Sequence, residues 1–261
     1  KSGILNRVII MARSVRKKSK TGIYHIMLRG IDRRHIFLED EDREKFLYYL
    51  FRAKEIGGFE LYGYCLMDNH AHILMKESEE LGQSVKRITV GYVQWHNYKY
   101  ARTGHLFQNR YKSETVEDEK YLIGVARYIH QNPVKAKIVR NAADYKWSSY
   151  KDYITCYNGK TIKIDTELMM SYFTTQDSFE DYMNKPNEDK FLEYKVKKRY
   201  TDEDLIRIIS GIIDIESIAK LPKKERDKVI NNIYQTTEVS IRQLSRVIDI
   251  GRGIVEKAVK R

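Results

Sequence analysis

The chain has 261 residues, 48 Lys+Arg against 36 Asp+Glu, and 42% hydrophobic residues. That length holds one or two domains, and that balance supports a packed core and argues against wholesale disorder. Three Pro exclude a collagen-like or Pro-rich chain. The two distant cysteines, Cys65 and Cys156, argue against a disulfide scaffold or a Cys-based zinc site, and they fit a reducing cytoplasm. No apolar run approaches the ~20 residues that a membrane span needs, so no membrane partner is expected. The formal net charge is +12, and residues 1–150 carry most of it, with 27 Lys+Arg against 17 Asp+Glu. Such an excess points to a polyanion, most often nucleic acid.

Met11 opens a plausible start, so residues 1–10 are set aside; Ile9-Ile10 and their neighbours are too short for a signal peptide. Residues 1–20 hold seven Lys/Arg and no acid, a basic arm for phosphates that includes Arg13, Arg16, Lys17 and Lys18. Ile23–Arg29 reads as a strand after Gly22. A helix follows, capped by Asp40 or Asp42, with Phe46, Leu47, Leu50, Phe51 and Ile56 on one side and Gly57-Gly58 at its end. Phe59–Met67 and His70–Lys76 form a hairpin about the Asp68-Asn69 turn. Val85–Tyr100 has helical spacing, and Phe107–Val116 is a fourth strand. Asp118 caps a helix that runs to about Gln131, where Pro133 stops it. The order β-α-β-β-α-β-α predicts an α+β fold with an antiparallel sheet.

Residues 151–200 read as a connecting region with short amphipathic pieces at Asp165–Phe173 and Ser178–Met183. Residues 201–261 are helical in pattern, starting at Thr201. The stretch 240–260 predicts a helix-turn-helix. Ser240 caps its first helix, Asp249-Ile250-Gly251 makes the turn, and Arg252–Lys260 is the recognition helix. Its expected core is Ile241, Leu244, Val247, Ile250, Ile254, Val255 and Ala258, and Arg242, Arg246 and Arg252 are its candidate DNA contacts.

Two short patterns carry chemistry. His70-Ala71-His72 places two imidazoles on one face of a strand, where a bidentate metal clamp needs them; paired core or surface histidines give the same spacing. Tyr128 and Asn132 are four apart at the end of a helix and share a face. Beside a metal, Asn132 can supply an amide oxygen as third ligand and Tyr128 a nucleophile. Arg110, Lys112 and Arg127, with Lys86, Arg87 and Lys135, surround these motifs and are candidate phosphate contacts. Tyr92, Trp95, Tyr98 and Tyr100 can stack on bases, but their helical spacing favours packing. His25, His35, His96, His105 and His130 have no assignable partner.

Five segments together carry a resemblance: Gly22–Gly30 (GIYHIMLRG), Tyr64–Leu74 (YCLMDNHAHIL), Gly104–Ser113 (GHLFQNRYKS), Arg127–Lys135 (RYIHQNPVK) and Trp147–Tyr150 (WSSY). Their order and spacing resemble the REP-associated tyrosine transposases (RAYT proteins), of the single-tyrosine branch of the HUH (His-hydrophobic-His) endonucleases. The resemblance covers about residues 11–150. It implies a ferredoxin-like sheet over residues 21–150, followed by the small all-α helix-turn-helix domain. It implies a divalent metal, Mg²⁺ or Mn²⁺, held by His70, His72 and Asn132, with Gln131 as the alternative third ligand and Tyr128 as nucleophile. Ala71 stands where the family carries a bulkier apolar residue, on the side away from the metal.

The expected activity is cleavage and rejoining of single-stranded DNA near palindromic hairpins through a 5′-phosphotyrosine, in the cytoplasm. The partners are single-stranded or hairpin DNA, duplex DNA through the C-terminal domain, and, for a homodimer rather than a monomer, a second copy. The alternative is a non-catalytic, sequence-specific DNA-binding regulator derived from a transposase. A relaxase- or replication-initiator-like nuclease fits the short chain and single tyrosine less well. An RNA-binding protein would need an aromatic strand pair that is not found.

Overall fold

The computed structural model describes residues 16–108, 110–186, 191–192, 200–237 and 239–259. The chain divides into two compact units, residues 1–193 and 194–261.

In the first unit the strands are β1 (Ile23–Arg29), β2 (Glu60–Met67), β3 (His70–Lys76) and β4 (Lys112–Thr115). They form one antiparallel sheet in the order β2-β3-β1-β4. With α1 (Asp40–Gly57), α2 (Leu81–Lys99) and α3 (Glu119–Lys135) interleaved, this is the ferredoxin-like arrangement expected. α3 packs on β2 and β3, whereas Leu28 of β1 faces Val85 and Val93 of α2. Helices therefore cover both faces of the sheet. Ile26, Ala71, Ile73 and Met75 are buried on one face and His25, His72 and Leu74 on the other. The helix layer stays close to the sheet where glycine replaces a side chain: a Cβ on Gly63 would lie 3.3 Å from Ser149 Oγ and 3.9 Å from His130 Nε2.

Several boundaries differ from the sequence reading. Glu39, not Asp40 or Asp42, is the N-cap of α1, and Asp42 reaches back from the third position to accept from the N–H groups of Leu38 and Glu39. Burial alone would raise the Asp42 carboxyl; the Glu39 N–H, the Lys99 ammonium, the Leu38 N–H and the Tyr100 hydroxyl outweigh it and hold it below the usual range. α2 starts at Leu81, four residues before Val85, because Leu81 and Ser84 are already buried. β4 is shorter than Phe107–Val116: it pairs with β1 alone, and Phe107 meets Gly30 in an isolated bridge. Asp118 caps α3 as expected, but the helix runs through Pro133. Only one N–H is missing there, and the helix closes at once: Lys137 takes a left-handed conformation and Ile138 N–H donates to Pro133 O.

Residues 151–186 are not a connection. α4 (Tyr150–Tyr157), α5 (Glu167–Met170) and α6 (Gln176–Asn184) put Tyr153, Met169, Phe173, Phe179 and Met183 into the core of the first unit. Asp165 ties this stretch to β2, accepting from Leu61 N–H at 2.7 Å and from Lys54 at 3.1 Å. The burial comes from contacts distant in sequence, which short local periodicity does not show.

The second unit is helical: α7 (Asp202–Ser210), α8 (Ile215–Ile218), α9 (Lys223–Thr237), α10 (Ile241–Val247) and α11 (Arg252–Val259). Thr201 and Ser240 cap α7 and α10. α11 packs on α9 and α10 around Leu244, Ile248, Ile250, Val255 and Ala258. Ile254, expected in this core, is 39% exposed; the buried edge of α11 is Val255 and Ala258, three apart. Ile241 and Val247 are half-buried at the margin, and Lys260 lies outside the described residues. Among the described residues no helix is long and apolar enough to cross a membrane.

Candidate active site

β3 projects His70 and His72 from the same face, with ring centroids 4.9 Å apart and planes at 89°. α3 lies over that face. The Tyr128 ring meets His72 edge-on at 5.6 Å and His25 at 6.0 Å. One turn further along α3, the Asn132 side chain lies close enough to His70 and His72 to favour the protonated form of each. Its Nδ2 donates to Tyr128 O at 2.8 Å, which turns Oδ1 toward the imidazoles. The four residues singled out from sequence thus meet at one place. Gln131 does not: it is buried on another side of α3, where Nε2 donates to Met183 O and Lys185 O, both at 2.7 Å.

The far side of each imidazole is held. His70 Nδ1 lies 2.6 Å from Asn69 Oδ1, and His72 Nδ1 lies 2.9 Å from His25 Nε2. With both Nδ1 atoms engaged, the Nε2 atoms are the ones left for another ligand. Burial, then the Arg29 charge, lowers His70 to about 4, despite the opposing effect of Asn132. Burial, then His70 and His25, brings His72 well below its ordinary value. Both rings are therefore neutral near pH 7, as metal ligands must be. Among the described residues no three His, Cys, Asp or Glu side chains are placed to hold a metal ion, so an ion at His70 and His72 would need a donor of another kind, such as the Asn132 amide oxygen. Two imidazole nitrogens and one amide oxygen, with their outer partners in place, suit Mn²⁺ and accept Mg²⁺.

Cations border this face. Arg29 is opposite His70 in register and near enough to Lys112 that burial, followed by the Arg29 charge, lowers the Lys112 ammonium. Lys135 Nζ is 4.9 Å from the Tyr128 ring centroid. Phe191 covers the other side of Tyr128 at 5.2 Å, and Tyr128 is 2% exposed.

The remaining sequence-predicted contacts lie elsewhere. Arg13 falls outside the described residues. Arg16 stacks on Tyr111 at 3.8 Å and donates to Tyr111 O. With Lys17, Lys18 and Arg110 it lines a cavity of about 660 Å³ that Glu77, Glu79 and Glu80 share. Arg127 stacks on Tyr182 at 4.5 Å, away from the histidines. Arg246 is paired side-on with Asp202 at 2.7 Å, Arg252 pairs with Glu256, and Arg242 is exposed. Tyr92 is buried, and Tyr98 is 89% exposed.

Sequence reading gave His25 and His130 no partner. His25 is the outer partner of His72, and His130 Nε2 lies 2.9 Å from Ser149 Oγ. The signal for His25 was a polar residue in the middle of an otherwise apolar strand, on the same side as Met27 and Arg29.

The sequence model of the family described as "Transposase IS200 like" matches residues 18–132, which span the sheet, both histidines, Tyr128 and Asn132. Over this stretch the chain is similar to the IS200-like transposases. A solved REP-associated tyrosine transposase bound to a REP hairpin is 17% identical, covering 59% of this chain and 90% of that one, with a TM-score of 0.49. A candidate transposase from Deinococcus radiodurans is 19% identical, covering 46% of this chain and 96% of that one, with a TM-score of 0.33. No curated protein matches.

Proposed function

We propose that this protein is a transposase: a metal-dependent DNA strand transferase that cuts and rejoins single-stranded DNA beside palindromic hairpins. The observation that carries the reading is the convergence of His70, His72, Asn132 and Tyr128 on one patch of the sheet. The hairpin substrate rests on the resemblance of the five motif segments to REP-associated transposases.

His70 Nε2, His72 Nε2 and Asn132 Oδ1 would hold Mg²⁺ or Mn²⁺. Such an ion supplies Lewis-acid polarisation of a DNA phosphate and offsets charge that builds in the transition state. Tyr128 attacks that phosphorus, the 3′-OH leaves, and a 5′-phosphotyrosine forms. The phosphodiester energy is kept in that bond, so an incoming 3′-OH can reseal the strand without ATP. A free phenol titrates near 10, so the attack needs activation at neutral pH. Arg29, Lys112 and Lys135 favour an anionic strand at this face. Tyr128 is buried with Phe191 packed on its ring, so the side chain must be uncovered before a phosphate reaches its hydroxyl. The second unit would add duplex binding, with α10 and α11 acting as a helix-turn-helix and Arg242 and Arg252 facing phosphates.

The test uses labelled hairpin DNA from the flanks of the protein's own gene, with Mn²⁺ or Mg²⁺, on a denaturing gel. A covalent protein–DNA band is expected from the wild type and not from Tyr128→Phe, which should still bind DNA. Binding without a covalent band, across metals and hairpins, would leave the non-catalytic regulator as the reading.

A further inference from the structure

The contact between His72 and His25 leaves two buried atoms unaccounted for. His72 Nδ1 and His25 Nε2 are 2.9 Å apart and both rings are buried, so one nitrogen donates and the other accepts. His25 Nδ1 has no hydrogen-bond partner among the described residues, and neither has Glu114 Oε2. These two side chains are neighbours. His25 and Glu114 are paired directly across β1 and β4, so both leave the sheet on one face with Cβ atoms about 5 Å apart. Burial, then the neighbouring Glu114 carboxylate, raises the Tyr121 phenol. A small rotation of Glu114, or one water, joins its Oε2 to His25.

The two proton arrangements differ in what His72 presents. If His25 Nε2–H donates, the His72 proton sits on Nε2 and leaves no lone pair for a metal. If His72 Nδ1–H donates, its Nε2 lone pair is free, and the His25 proton sits on Nδ1. The number of protons is the same in both. In the second arrangement His25 turns a donor toward Glu114, and an ionised carboxylate only accepts.

We propose that Glu114, acting through His25, is a positioning residue that holds His72 as the Nδ1–H tautomer, with its Nε2 lone pair free for the metal. The consequence for metal binding rests on the metal reading above; the tautomer itself does not. Outer partners of this kind fix ring orientation and tautomer, and losing them typically costs roughly 10–100-fold in metal affinity.

Two measurements on the full chain separate the two ideas. NMR of protein labelled with ¹⁵N-histidine, free of metal, reports which His72 nitrogen carries the proton. Calorimetric titration with Mn²⁺ reports affinity, with His70→Ala as the control lacking a ligand. The wild type should show Nδ1–H at His72. Glu114→Leu should move the proton to Nε2 and weaken Mn²⁺ about tenfold. Glu114→Gln keeps an acceptor of the same shape and should fall between them; if Glu114→Leu does not fold, this variant decides. An unchanged tautomer and unchanged Mn²⁺ affinity in a folded Glu114 variant would overturn the proposal. If the wild type binds Mn²⁺ no better than His70→Ala, the metal reading fails, and the tautomer shift alone then decides the role of Glu114.

Discussion

Phe179 tests whether α4–α6 belong to the catalytic unit. Its ring is fully buried and stacked on Tyr153 at 5.0 Å, with Tyr150, Tyr157, Phe173 and His130 around it. An aromatic side chain buries roughly 150–250 Å². At about 25 cal/mol/Å² this is worth about 4 kcal/mol, and the cavity left by Phe179→Ala keeps the loss within about 3–5 kcal/mol. That is a large part of the ~5–15 kcal/mol that holds a domain. Both tryptophans of the chain, Trp95 and Trp147, lie in the first unit, so their fluorescence follows its unfolding alone. With a urea slope of roughly 2–3 kcal/mol/M, the midpoint should fall by about 1.5 M. The consequence should reach the site, because α6 is tied to α3 through Gln131, Met183 O and Lys185 O. A loss below about 1 kcal/mol, the size of an ordinary surface substitution or little more, would refute the claim that these helices share the core.

Adjacent residues of α3 should part company. Asn132→Leu is expected to abolish Mn²⁺ binding and the covalent adduct with little change in the urea midpoint. Gln131→Leu should keep Mn²⁺ affinity but cost about 1–3 kcal/mol, because two backbone carbonyls lose their donor; calorimetry and urea unfolding read the pair. His130 is buried and lowered by burial to about 3, against about 6.5 when unfolded. Its folded pKa is depressed, so its contribution is intact above pH 6.5 and is lost as pH falls toward 3. Relative to His130→Gln, the wild type should lose about 2–3 kcal/mol between pH 7 and 4.5, measured by urea midpoints; parallel pH curves would contradict this. Phe191→Ala should speed adduct formation severalfold in single-turnover gels by uncovering Tyr128, and a slower rate would assign Phe191 to holding the tyrosine in place. Arg242→Ala should weaken duplex binding and lower the salt slope by about one, whereas Arg246→Ala, whose guanidinium is already engaged by Asp202, should change it little in the same filter-binding series.

Much of the site was legible in the sequence because its parts obey local rules. A strand has a period of two, so His70 and His72 had to share a face. A helix brings positions four apart together, so Tyr128 and Asn132 had to form a pair, and Asp118, Thr201 and Ser240 announced helix starts through side-chain capping. Strand order has no such local signature. Only the placing of β1 between β3 and β4 brings His25 to His72, 47 residues away, and sets Glu114 opposite His25. The same holds for α4–α6, whose short apolar faces mean little until β2 and α3 are there to bury them. It also holds for Gln131 and Asn132, adjacent in the chain but about 100° apart around α3, so that packing sends one amide to α6 and the other to the histidines. Local geometry determined which side chains could act together; the long-range contacts of the fold decided which of them meet.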